Sequence, residues 1–309
     1  MTGQTIDLHR TIPAPPERVY RAWLAPETMR RWLAPALFTV HKAEVDERVG
    51  GRLRVWHRDA AGTDMGGAEA EILELTSPER IVLRWWFVGP DRVTDPDLET
   101  RLTITFARAE DGKTALHLSH SGLDGLRTRM PEVADGIEKG WDSTLGILRA
   151  QTVLDDPVSQ ELLNSAIPAR MAYTGLDGAP RVVPMGFWWN GREIVVCTVD
   201  VAPKVRALQA DSRLAFTIDT EGQPPHVLLI RGTASIEIVD GVPDEYIKAS
   251  GKLVDEAMMP GFEAQVRSMY ERMARISLVP TWAKVLDFET RAPDFVHRLA
   301  AKAQAAAAN

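Results

Sequence analysis

The stretch from Arg181 to Leu208, RVVPMGFWWNGREIVVCTVDVAPKVRAL, limits most narrowly what this chain can fold into. One apolar run (Val182, Val183, Met185, Phe187) and a second (Ile194 to Val199) flank Asn190-Gly191. That arrangement predicts a hairpin, because both central positions of a tight turn need φ > 0 and Asn-Gly tolerates it best. Beyond Thr198 a short proline-containing loop leads to Lys204 and Arg206. A hydroxyl, free backbone N–H groups and an ammonium then fall at one end of a sheet, a corner suited to a phosphate monoester. Taken alone, Lys204 and Arg206 also read as solvated charges opening a helix, KVRALQAD.

A series of fragments in order resembles the flavin-binding split-barrel family of pyridoxamine 5'-phosphate oxidase and its flavin- and deazaflavin-dependent relatives, from about Glu161 to Phe288. Ala172-Tyr173-Thr174, the turn at Asp177-Gly178 and Pro180 to Pro184 resemble the family's first hairpin. Arg181, Val182, Val183, Pro184 and Met185 fall where the family lays a strand along the flavin, and Cys197-Thr198 where the next strand meets the cofactor. Lys204 falls at the family's phosphate-binding lysine, with Arg206 beside it. DSRLAFTID and HVLLIRGTA resemble the strands that follow, and Trp282 lies where an aromatic residue often neighbours the cofactor. The resemblance implies FMN, or alternatively the deazaflavin F420, and a homodimer with the site between subunits. Trp188, Trp189 and His226 are the substrate-side candidates, and no residue is assigned a catalytic role. The basic residue that ends the oxidase's first cofactor strand is replaced by Met185-Gly186, and its Arg-rich C-terminal signature is absent, so pyridoxal phosphate synthesis is not implied.

The first half has its own pattern. Alternation in IDLHRTI predicts a strand, Pro15-Pro16-Glu17 opens a helix carrying Val19, Tyr20, Trp23 and Leu24, and PETMRRWL forms a second short helix. Six strands follow: FTVHKAEV, RLRVWHR, GGAEAEILEL, RIVLRWWF, LETRLTITFA and TALHLSHSG. Leu102, Ile104 and Phe106, then Leu116 and Leu118, alternate cleanly, as on one buried face of an antiparallel sheet. Val133, Ile137, Trp141, Leu145 and Leu148 recur at helical spacing and cover that face. APPERVYRAWLAPETMRRWLAP, EVDERVGGRLR and EKGWDSTLGIL are similar to bacterial relatives of the Hsp90 ATPase activator, within the START-like (SRPBCC) helix-grip superfamily. This second resemblance implies a sheet curled around the long helix, often with an apolar cavity between them. Trp56, Trp85, Trp86 and Trp141 are candidates to line it, or simply to fill the core.

The 309 residues suit two domains of about 150 each. TVLDDPVSQ breaks the helical periodicity, placing residues 1–154 in a START-like domain and 155–309 in the split barrel. The fold class is therefore two-domain α+β, a helix-grip domain followed by an antiparallel split β-barrel. A net charge of -7 argues against a nucleic-acid partner. No apolar run reaches the ~18 residues of a membrane span, and the N-terminus lacks a secretory pattern. Cys197, the single cysteine, fits a reducing cytoplasm and reads as a buried small side chain. Neither a nucleophile elbow, a phosphate loop nor a zinc signature is present. His117 and His120 fall on opposite strand faces, and His57, His226 and His297 lack sequence-near ligand partners, so no metal is expected.

These observations predict a flavin- or deazaflavin-dependent oxidoreductase. It would act by hydride transfer on a small, apolar organic substrate, with the START-like domain presenting or sequestering that molecule. The alternative is a non-catalytic hydrophobic-ligand or cofactor carrier in which the barrel is a dimerisation scaffold. A third reading is a chaperone accessory protein.

Overall fold

The computed structural model describes residues 5–292 together with 296, 298, 299, 302 and 304. His297 and most of the Ala-rich tail lie outside the described residues. The chain divides into two compact units, Met1–Thr152 and Val153–Asn309.

In the first unit, β1 (Thr5–Ile12) is followed by α1 (Pro16–Ala22) and α2 (Pro26–Trp32). Strands β2 (Thr39–Val45), β3 (Arg52–Arg58), β4 (Asp64–Thr76), β5 (Arg80–Val88), β6 (Thr100–Arg108) and β7 (Thr114–Ser121) come next. A short helix α3 (Asp124–Arg129) precedes the long α4 (Pro131–Leu154), whose last residues, Val153 and Leu154, belong to the second unit. The sheet is antiparallel in the order β1-β7-β6-β5-β4-β3-β2, so after the closing β1–β7 pair every strand neighbours its sequence neighbour. Its inner face carries the alternating residues Leu102, Ile104, Phe106, Leu116 and Leu118, all buried. Each such side chain contributes about 1.5–3 kcal/mol through the apolar area it removes from water. Helix α4 lies over this face. Trp141 reaches the sheet beside Trp85, with ring centroids 5.6 Å apart, and Asp142 pairs with Arg10 of β1.

In the second unit, Asp156 caps α5 (Pro157–Asn164) by accepting from the Val158 N–H, with Pro157 in the first turn where its missing N–H costs nothing. This is why TVLDDPVSQ interrupts the helix. Then come β8 (Ala169–Thr174), β9 (Pro180–Met185), β10 (Trp188–Trp189), β11 (Ile194–Val199), α6 (Pro203–Ala210), β12 (Arg213–Asp219), β13 (His226–Asp240), α7 (Asp244–Ser250), α8 (Met259–Met269) and β14 (Arg272–Asp287). They form one antiparallel sheet, β10-β11-β14-β13-β12-β8-β9, whose end strands do not pair with each other among the described residues.

Two sequence expectations change here. The apolar runs around Asn190-Gly191 are not partners over their length: β9 pairs with β8, while only Trp188 and Trp189 pair with Val195 and Ile194. The chain passes from one edge of the sheet to the other at Gly186-Phe187. The turn is also longer than Asn-Gly predicts. Asn190 Oδ1 accepts from the N–H groups of Arg192 (2.9 Å) and Glu193 (2.7 Å), closing a four-residue loop in which Gly191 alone has positive φ. The second change concerns PGFEAQVRSMYERMARIS, which reads as helical throughout. Helix α8 ends at Met269, Tyr270 is extended, and Met273 belongs to β14, packed against Val195 and Cys197. Pairing with β13 from Arg272↔Asp240 to Asp287↔His226 outweighs the local helical spacing.

Gly50-Gly51, part of the EVDERVGGRLR turn, stitches this loop to β4: the Gly50 N–H donates to Ile72 O, and the Ile72 N–H to Gly51 O. A Cβ on Gly51 would collide with the carbonyl oxygens of Asp46 and Arg48. Gly51→Ala should destabilise the first unit by about 2–3 kcal/mol in urea denaturation, and a change below about 0.5 kcal/mol would contradict this packing.

Candidate functional site

Chemistry-bearing side chains converge at one place in the first unit and at two separate places in the second. In the first, the space between α4 and the sheet is an apolar cavity of about 350 Å³, walled by Phe38, Val55, Trp85, Phe87, Met130 and Trp141 among others. Among the described residues no Asp, Glu, Lys or Arg lines it. Its polar residues are Thr144 and His57, and His57 Nε2 lies 3.1 Å from Leu33 O.

A buried hydrogen-bond chain backs the aromatic wall. The indole Nε1–H of Trp141 donates to His120 Nδ1 (3.0 Å). Since an indole only donates, Nδ1 is an acceptor and the imidazole proton sits on Nε2. From there it donates to Thr100 Oγ1 (2.8 Å), whose hydroxyl donates to Trp85 O (2.9 Å). Burial pushes the His120 imidazole down to about 3, so it is neutral at physiological pH. The sequence signal for His120 was present: it continues the Leu116, Leu118 alternation and therefore faces inward. Alternation also sorts the tryptophans. Trp85 and Trp141 line the cavity, whereas Trp86 and Trp56 do not. Trp56 lies under Lys42 and Arg92 (4.6 and 4.4 Å), and Trp86 under Arg52 (5.7 Å).

In the second unit, Lys204 Nζ is 3.5 Å from Thr198 Oγ1, at the junction of β11 and α6, and both residues are half-buried. Arg206, one turn into α6, is exposed. Cys197, the neighbour of Thr198, is turned into the core with Val195, Val242 and Met273, and burial pushes its thiol up to about 12. Strand β9 is one of the two end strands of the sheet, the other being β10. Arg181 and Val182 of β9 line a cleft of about 570 Å³ together with Arg213 and Arg231, which the sequence did not single out. Arg181 pairs with Asp177 (2.6 Å) and Arg213 with Asp211 (2.6 Å). Arg231 instead lies over the Trp282 ring, 4.2 Å from its centroid. Val183 and Met185 continue β9 opposite Met171 and Ala169, and Pro184 opposite Arg170. Thr198 and Lys204 are not among the residues lining this cleft.

The three substrate-side candidates do not meet. Trp188 lies near Lys248 and Lys252 (5.6 and 5.8 Å), and Trp189 is buried. His226 opens β13, nine residues before Ser235, which lies across β14 from the Trp188–Val195 pair. His226 Nε2 is 3.5 Å from Asp287 Oδ1 and 3.4 Å from Glu289 Oε2. Among the described residues no group of three or more His, Cys, Asp or Glu is arranged to hold a metal ion, and no helix is long and apolar enough to cross a membrane.

The first unit is thus a helix-grip-like domain with an apolar cavity. Residues 13–151 match the model of the family Activator of Hsp90 ATPase homolog 1-like protein. Among similar solved structures, a protein from Chromobacterium violaceum is 32% identical over 47% of this chain and 94% of its own, with a TM-score of 0.39. An Hsp90 activator from Plasmodium falciparum is 20% identical over 47% of this chain and 96% of its own, with a TM-score of 0.35. An F420 reductase is 24% identical over 40% of this chain and 94% of its own, with a TM-score of 0.33. No curated protein matches the chain.

The His120 environment makes stability pH-dependent. The unfolded imidazole takes up a proton near 6.5, and the folded one refuses it until about 3. The stabilisation is therefore present above pH 6.5 and is lost as pH falls through that window. Denaturation monitored by tryptophan fluorescence should show a loss of about 2 kcal/mol between pH 6.5 and 5, absent in His120→Gln. An equal loss in the variant would contradict the assignment.

Proposed function

We propose that the chain binds an apolar organic molecule in the first unit and a phosphorylated flavin-type cofactor in the second, and that it acts as a hydride-transfer oxidoreductase on that class of molecule. The apolar cavity backed by the His120 chain carries the first part: a preformed concave pocket with aromatic walls and few polar groups is how proteins hold small organic ligands.

The second part rests on the donor set at the β11–α6 junction. A lysine ammonium beside a threonine hydroxyl, which can turn its own O–H outward, can donate to an anion, which fits the phosphate of FMN or, alternatively, of F420. In this reading the unit is a split barrel of the pyridoxamine 5'-phosphate oxidase type, and Thr198 and Lys204 bind the phosphate with Arg206 nearby. Arg181, Val182, Val183, Pro184 and Met185 offer backbone groups on an edge strand whose outer side has no strand partner among the described residues. Trp282, held under Arg231, flanks the same sheet. When bound, the ring supplies hydride transfer, and the chain supplies binding and orientation. A homodimer through this unit and a cytoplasmic setting complete the reading.

A carrier without chemistry is the second reading. It is favoured by the cavity lining, which holds no carboxylate, thiol or amine to act on a bound molecule.

FMN and F420 titrations followed by fluorescence should each be read against Lys204→Ala. The variant should bind the preferred cofactor about 1.5–3 kcal/mol more weakly, the worth of a hydrogen bond to a charged group. Unchanged affinity would reject Lys204 as the phosphate ligand. Failure of both cofactors to bind the wild-type chain would leave the carrier reading.

A further inference from the structure

Helix α4 presents Gly136, Gly140 and Thr144 to the cavity, at four-residue spacing along one face. A glycine inside a helix costs about 1 kcal/mol relative to alanine, so each of the two needs a physical reason. Packing supplies none. A Cβ on Gly136 would meet nothing within 4 Å, and one on Gly140 only Pro35 Cγ at 3.7 Å, an ordinary contact. Gly51 is the contrast, because neighbouring carbonyl oxygens leave no room for a side chain there. What the two glycines of α4 do leave is bare helix backbone facing about 350 Å³ of apolar space, the condition under which a ligand can approach a main chain closely. The row also runs inward: Gly136 is exposed, Gly140 half-buried and Thr144 only 3% exposed. At the inner end the Thr144 hydroxyl has no hydrogen-bond partner among the described residues, yet it is not closed off from water as the Ser159 hydroxyl and the Trp85 Nε1–H are. In a residue that is otherwise buried, this open surface belongs to the cavity. From Gly136 to Thr144 the helix rises about 12 Å, the length of a small fused-ring molecule. Among the described residues the lining holds no Asp, Glu, Lys or Arg, so a charged ligand would be desolvated without a counter-charge, a cost that neutral molecules avoid.

We infer that this row of α4 is the ligand's seat: an uncharged, flat ring system enters at Gly136, lies against the bare backbone of Gly136 and Gly140, and hydrogen-bonds to Thr144 through a hydroxyl or carbonyl at its leading end. This rests on the apolar-ligand reading of the same cavity and adds the ligand's shape, polar group and direction of entry.

Two probes of equal size separate the claims, 2-naphthol and 2-methylnaphthalene, with the full chain titrated calorimetrically into each at pH 7.5. Thr144→Val should weaken the naphthol by about 3- to 10-fold and leave the hydrocarbon within about twofold, the range expected for one neutral hydrogen bond. The double variant Gly136→Ala, Gly140→Ala should move two measurements in opposite directions. Its urea midpoint should rise, because alanine favours the helix, while both probes bind at least about fivefold more weakly. A misfolded variant cannot give that pair of results. In the wild-type chain, NMR cross-relaxation should connect the naphthol protons flanking the hydroxyl to the Thr144 methyl and those of the far ring to Gly136 Hα, which answers for Thr144 should Thr144→Val fail to fold. Equal effects of Thr144→Val on both probes, the reverse orientation of the naphthol, or a double glycine variant that binds as tightly as the wild type would overturn this inference and leave the apolar-ligand reading standing. No binding by either probe, or cross-relaxation only to residues outside the cavity, would overturn that reading and this inference with it.

Discussion

The first unit depends on a histidine that must stay neutral. His120 lies fully buried between β6 and α4, where a charged imidazole would have no counter-ion. Its two nitrogens are used in opposite senses, one accepting from Trp141 and the other donating to Thr100. Because the Trp141 indole, both His120 nitrogens, the Thr100 hydroxyl and the Trp85 carbonyl are all paired with one another, the network adds rigidity. Its consequence is geometric. Trp141 on the helix and Trp85 on the sheet are held 5.6 Å apart at the ring centroids. The wall they form with Phe87 bounds the cavity instead of collapsing into it.

The second unit is built differently, as one open seven-stranded sheet with a cleft beside it. Strand β9, with Arg181 to Met185, lies at one end of the sheet order, and β11, with Thr198, lies near the other. Helix α6 begins just after β11 and brings Lys204 back over Thr198. The cationic cleft of Arg181, Arg213 and Arg231 is made by three separate strands, β9, β12 and β13. Two of these arginines are neutralised by nearby aspartates, while Arg231 stacks on Trp282. The register shifts beside that stack: Arg231 and Gly232 of β13 face Trp282 and Pro280 of β14, with Thr281 of β14 left over.

How much of this was legible in the sequence follows from the range of each signal. Period-two alternation is local, and it located all seven strands of the first unit, the inward face and, applied strictly, the difference between Trp85 and Trp86. The Asn190-Gly191 turn is local too, and it was found. Its strand partner was not, because whether β9 pairs with β11 or β8 is decided by non-local ladder bonds that no dipeptide encodes. The extension of β14 back to Arg272 has the same cause. The gathering of Arg213 and Arg231 with Arg181 depends on register across β9, β12 and β13, which no local signal carries. The His120 chain required knowing that β6, β7 and α4 meet at one level, which spacing alone does not state.

The most direct test of this account is the protonation state of His120 itself. In the imidazole nitrogen NMR spectrum of the folded chain at pH 5, His120 should be neutral, with a protonated Nε2 and an unprotonated Nδ1. An imidazolium with both nitrogens protonated, or a neutral ring carrying its proton on Nδ1, would contradict the hydrogen-bond chain and the cavity wall built on it.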